Sequence, residues 1–217
     1  MKKLPKLFLF SALTSSVALA QPTPSTNSDG SSPYWQASLT SETNKDYDSA
    51  LSQVSSYQSA GGDAFLANLR LAWLAYLKKD YKSAAQYYDA AEHLRPSAIN
   101  PLLGLMYVSV AVGDSAAVEK AAENVLHVDP LNYQAQMLTA ARLYSTKSYA
   151  MALASYRRVL TYYPDDLTAL SGEAWSLYYL GHIKEATADF HVLLGINSSD
   201  TWAQKGLQLC EEGKATD

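Results

Sequence analysis

A six-residue phrase occurs twice in this chain, and it limits the fold more than anything else in the sequence. Lys45-Asp46-Tyr47-Asp48-Ser49-Ala50 returns 34 residues later as Lys79-Asp80-Tyr81-Lys82-Ser83-Ala84, with five of six positions identical. Further steps of 34 reach Gly113-Asp114-Ser115-Ala116-Ala117-Val118, then Lys147-Ser148-Tyr149-Ala150-Met151-Ala152, then Gly181-His182-Ile183-Lys184-Glu185-Ala186. Pro96, Pro130 and Pro164 keep the same step and mark the period independently. A fixed period of this length means a chain of like units, each too small to bury its apolar face without neighbours.

Each unit reads as two helices. In the second unit, Phe65 to Lys78 carries Leu66, Leu69, Ala72, Trp73 and Tyr76 at helical spacing, and a second helix spans about Tyr81 to Leu94 with Ala84, Tyr88 and Ala91 on one face. Proline lacks the N–H and clashes with the preceding turn, so Pro96 closes that helix. The pattern recurs from Ile99, Tyr133 and Leu167, and a single last helix is expected over Thr201 to Glu211. The first helix, with Trp35, Leu39 and Glu42 at i, i+4, i+7, is short and polar. Sustained period-two alternation is missing, so no strand is expected.

The ends differ from the body. Lys2, Lys3 and Lys6, an apolar run from Leu7 to Val17, and Ala18-Leu19-Ala20 have the order of a bacterial signal peptide over residues 1–20, cut after Ala20. The run is too short to span a membrane as a helix. Residues 21–33 are rich in Pro, Ser and Thr and read as a disordered leader; 34–213 would form the repeat domain and 214–217 a tail. The expected location is therefore exported, periplasmic or secreted. Cleavage removes three lysines, so the net charge of −4 becomes −7. That acidity argues against nucleic acid as a partner. The single cysteine, Cys210, cannot form an internal disulfide and reads as a small buried hydrophobe.

With each proline set at place 32, the units resemble the tetratricopeptide repeat family. Ala72, Ala140 and Ala174 supply its small residue at place 8, and Gly113 and Gly181 its glycine near place 15. Tyr47, Tyr81 and Tyr149 match place 17, Ala50, Ala84, Ala152 and Ala186 place 20, and Tyr88, Tyr156 and Phe190 the aromatic at place 24. The resemblance implies an all-α fold: a right-handed α-solenoid of about four to five helix-turn-helix hairpins plus a C-terminal capping helix. Met106 and Val118 depart from the pattern, and the unit from Ile99 should be looser or rotated.

Catalytic and cofactor motifs are not found. His93 and His127 fall at equivalent places of adjacent units, too far apart to share a metal, and sit near helix C-termini where the dipole favours them. Asp165-Asp166 follows Pro164 at a helix start, so capping is the expected role. No enzyme activity, cofactor or metal is expected.

In the family, the first helix of each hairpin lines a concave groove through places 2, 5, 9, 12 and 13. The resemblance therefore nominates Trp73, Tyr76, Tyr107, Tyr144, Trp175, Tyr178 and Tyr179 as partner-binding residues. Two readings of these rings stay open: inter-repeat core, or a recognition surface rich in the residues that dominate binding hot spots. The expected function is a scaffold that binds a protein or peptide. The alternative is an accessory of an envelope or polysaccharide-export machine, with an aromatic face that contacts glycan.

Overall fold

The structure, a computed structural model, describes residues 32–213. The expected signal peptide, nearly all of the leader and the tail lie outside the described residues. Among the described residues there are eleven α-helices and no strand, and no helix is long and apolar enough to cross a membrane. The chain divides into two compact units, 32–130 and 131–213. The first holds α1 (Pro33–Thr43), α2 (Tyr47–Ser59), α3 (Ala64–Leu77), α4 (Tyr81–Leu94), α5 (Ile99–Val112) and α6 (Ser115–Val128). The second holds α7 (Tyr133–Ser145), α8 (Tyr149–Tyr162), α9 (Leu167–Tyr179), α10 (Ile183–Ile196) and α11 (Thr201–Glu211). Within each unit, every helix packs on the next in sequence. This is the expected all-α hairpin repeat.

The repeated phrase is the device that turns one helix into the next. Asp46 and Asp80 cap α2 and α4 by accepting from the N–H groups of Ser49 and Ser83. Just before each cap the backbone must enter the left-handed region. Gly113 and Gly181 do so at φ +80° and +79°, but Lys45, Lys79 and Lys147 do so at φ 60°, 64° and 61° despite carrying a Cβ. At the other end, α4, α6 and α8 stop at Leu94, Val128 and Tyr162, two residues before Pro96, Pro130 and Pro164.

Small residues let the paired helices approach. Ala50, Ala72, Ala84, Ala140, Ala152, Ala174 and Ala186 are all fully buried. In the Ile99 hairpin Met106 is fully buried in place of alanine, while Val118 stays half-buried.

The aromatic at place 24 reaches forward to the next hairpin, and its partner is a glycine that the repeat reading passed over. The ring of Tyr88 lies over Gly104, Tyr156 over Gly172, and Phe190 over Gly206. All three glycines occupy place 6 of the following unit. A Cβ there would sit 2.5 Å from Tyr88 Cδ1, 2.5 Å from Tyr156 Cε1 or 2.6 Å from Phe190 Cε2, inside van der Waals contact. Burying each ring contributes roughly 2–3 kcal/mol. Between the first two hairpins the sizes are exchanged: place 24 is Val54 and place 6 is Arg70, both fully buried.

Buried Arg70 explains the degenerate first helix. Its guanidinium pairs with Glu42 of α1. Its Nε donates to Ser38 Oγ at 3.2 Å, and its Cζ lies 6.0 Å from the centroid of the Trp35 ring. The weak stripe of α1 is thus a docking stripe, with an ion pair where an apolar residue would otherwise sit.

Candidate functional site

The nominated residues fall on both units. On the first unit, Trp73 and Tyr76 project from α3 and are half-buried. Trp73 Nε1 donates to Glu42 Oε1 at 2.7 Å, so the ion pair that docks α1 also orients this ring. The Trp73 and Tyr76 rings stack with centroids 6.0 Å apart and planes 13° from parallel. Tyr81, from the repeated phrase, joins them at 5.6 Å from Tyr76. Tyr107 on α5 is only 7% exposed. Its hydroxyl has no hydrogen-bond partner, and burial, with a smaller contribution from Tyr76, pushes it up to about 12.

On the second unit, the rings form one continuous cluster. Tyr149 and Tyr179 stack at 4.5 Å with planes 8° apart, and Tyr144 meets both edge-on, at 5.5 Å and 6.0 Å. All three are half-buried. Desolvation is the main cause that raises each of their hydroxyls above the ordinary tyrosine value. Trp175 and Tyr178 lie deeper, at 4% and 0% exposure. Trp175 packs edge-on against Phe190 at 5.3 Å and against Trp202 at 6.1 Å.

Of the seven nominated residues, Tyr107, Trp175 and Tyr178 therefore belong to the packed interior of this structure. Trp73, Tyr76, Tyr144 and Tyr179 present partly open rings. The reason is positional: place 9 on α9 faces Phe190 of α10, whereas Trp73 at the same place on α3 faces the polar end of α1. Tyr81 and Tyr149, at place 17 of their units, extend the open faces. Their signal was the repeated phrase itself, since both are its tyrosine. Trp202 could have been found by its register: it lies 34 residues on from Thr168, which holds lining place 2 of the Leu167 unit.

Asp166, one of the paired carboxylates after Pro164, acts as a helix cap. Asp166 accepts from Ala169 N–H at 2.7 Å and from the Tyr133 hydroxyl at 2.6 Å, as a cap should. The four histidines are exposed. Among the described residues, no group of three or more His, Cys, Asp and Glu is arranged to hold a metal. Cys210 is buried and free.

Residues 42–99 and 109–167 match a family model described as tetratricopeptide repeat. Among solved structures, a tetratricopeptide repeat protein from Parabacteroides merdae is 14% identical, with 83% of this chain and 72% of that chain covered and a TM-score of 0.69. YrrB, described as a TPR protein with an unusual peptide-binding site, is 15% identical over 82% of this chain and 91% of its own, at a TM-score of 0.64. MamA AMB-1 is 15% identical over 78% and 92%, at 0.62. At these identities the likeness concerns the fold. A comparison with curated proteins finds no match.

Proposed function

Because the chain belongs to the tetratricopeptide repeat family, we propose that it is a non-catalytic scaffold that holds a protein or peptide against the aromatic faces of its hairpins. The observation that carries this reading is the pair of partly open aromatic clusters, Trp73–Tyr76–Tyr81 on one unit and Tyr144–Tyr149–Tyr179 on the other. Both combine apolar ring area with hydroxyls able to bond a partner's backbone. The peptide-binding site ascribed to YrrB supports the same class of work. Exported location is part of the proposal and rests on Lys2, Lys3, Lys6 and the Ala18-Leu19-Ala20 end of the apolar run.

The test uses the open rings rather than the buried ones, because truncating Trp175 or Tyr178 would hollow the interior. Affinity capture from the native envelope is compared for wild type, Tyr76→Ala and Tyr179→Ala, with helicity checked by circular dichroism. Loss of a captured protein at unchanged helicity supports the scaffold. Unchanged capture by both variants refutes it. A shift of tryptophan fluorescence with glycans, without protein capture, would favour the envelope or polysaccharide-export alternative. A mature protein whose measured mass does not begin at Gln21 would remove the export component.

A further inference from the structure

One charged cluster of the second unit plays no part in the aromatic faces. Arg157 of α8 donates from Nε to Glu173 Oε1 of α9 at 2.6 Å and from Nη2 to Glu185 Oε2 of α10 at 3.0 Å. His182 Nδ1 lies 3.2 Å from the other oxygen of Glu185. One helical turn beyond Glu185, Asp189 turns into the same cluster, and its Oδ2 is sealed from solvent without a hydrogen-bond partner. Three carboxylates thus share one guanidinium, and Asp189 is the one left over. Like charges at i and i+4 repel, so Glu185 adds to the burden. The charges that act on Asp189 come from Glu173, Arg157 and Glu185; α11, the other helix packed on α10, contributes none.

We propose that Asp189, with Glu173, Glu185 and Arg157, forms a proton-operated latch that tightens the packing of α8, α9 and α10 when the medium becomes mildly acidic. Protonation removes the surplus negative charge and turns an acceptor without a donor into a donor crowded by carboxylates. Burial, then Glu173, push the Asp189 carboxyl up to about 6, and Arg157 opposes them only in part. The sign follows from this direction. Above that pH the folded chain carries a disfavoured carboxylate, and stability rises as pH falls from there toward the ordinary aspartate value. Because α9 also carries Trp175, Tyr178 and Tyr179, the latch stiffens the helix that supports the second aromatic face. It stands whether or not that face binds a partner.

Hydrogen exchange of α9 and α10 amides in the full chain, corrected for intrinsic exchange, tests the latch. Protection in wild type should rise ~10-fold between pH 7.5 and pH 5.0, from linkage of one proton. Asp189→Asn, neutral at every pH, should lose most of this rise, leaving only what the His182–Glu185 contact contributes. Unchanged wild-type protection, or an Asp189→Asn variant that keeps the wild-type response, overturns the proposal. If that variant fails to fold, a carboxyl NMR titration of wild type decides: a midpoint near 6 for Asp189 supports the latch, and one near 4 refutes it.

Discussion

Gly172→Ala should destabilise the second unit, although alanine is the better helix former. Gly172 lies inside α9, and in an exposed helix the exchange would gain about 1 kcal/mol. Here the new methyl would sit 2.5 Å from both Cε1 and Cε2 of Tyr156 and nearer still to Cζ. Ordinary carbon contacts need more than 3.5 Å, so the ring must retreat by about an ångström. Tyr156 is 2% exposed and has nowhere to go. Overpacking of that kind costs roughly 1–3 kcal/mol. Taking the upper part of that range, the net loss is about 2 kcal/mol, or a Tm lowered by about 10 °C for a unit of this size. Gly195→Ala in α10 is the control, because a Cβ there meets nothing within 4 Å; it should be neutral or stabilising by up to ~1 kcal/mol. Urea denaturation followed by circular dichroism separates the two. Pairing Gly172→Ala with Tyr156→Leu should lose less than the sum of the single changes. A Gly172→Ala protein as stable as wild type would refute the steric argument.

Three further outcomes are expected. Glu42→Ala should cost about 3 kcal/mol in the first unit, because it strands the buried charge of Arg70; fluorescence-detected urea unfolding through Trp35 and Trp73 measures it. Lys147→Gly should stabilise by roughly 0.5–1 kcal/mol, since φ 61° strains any residue with a Cβ, and a lower Tm would contradict that reading. Hydrogen bonds from Ser49 and Ser83 hold Asp46 and Asp80 below the ordinary carboxylate value, so the stability they contribute is present above that value and lost as pH falls through the lowered one. Asp46→Asn with Asp80→Asn should flatten this acid limb in a pH series of Tm, and an unchanged limb would contradict the assignment.

The repeat period made most of the fold legible, because small residues at places 8 and 20 and prolines at place 32 recur often enough to fix a register. Glycine at place 6 recurs just as regularly, at Gly104, Gly172 and Gly206, yet a lone glycine within a helix reads only as a weak helix former. Its meaning appears when the ring above it is seen. The Arg70–Glu42 pair was illegible for another reason: it joins unlike places of two successive first helices, so no period points to it. The aromatic places were legible as a set but not in their exposure. Helical spacing says which way a side chain points, and the neighbouring helix decides whether the ring is covered, as Phe190 covers Trp175.

The ring-over-glycine junctions also restrict the order in which hairpins can follow one another. Tyr88 and Tyr156 require a successor with no side chain at place 6, and a successor carrying Arg70 could not be seated beneath them. Conversely, a glycine-bearing hairpin set after Val54 would leave a void where a ring is needed. Shuffling or deleting hairpins by recombination is therefore not neutral even when the period of 34 is kept. Each junction works as a keyed joint, and the order of the units is written into their mating surfaces as well as into the covalent chain.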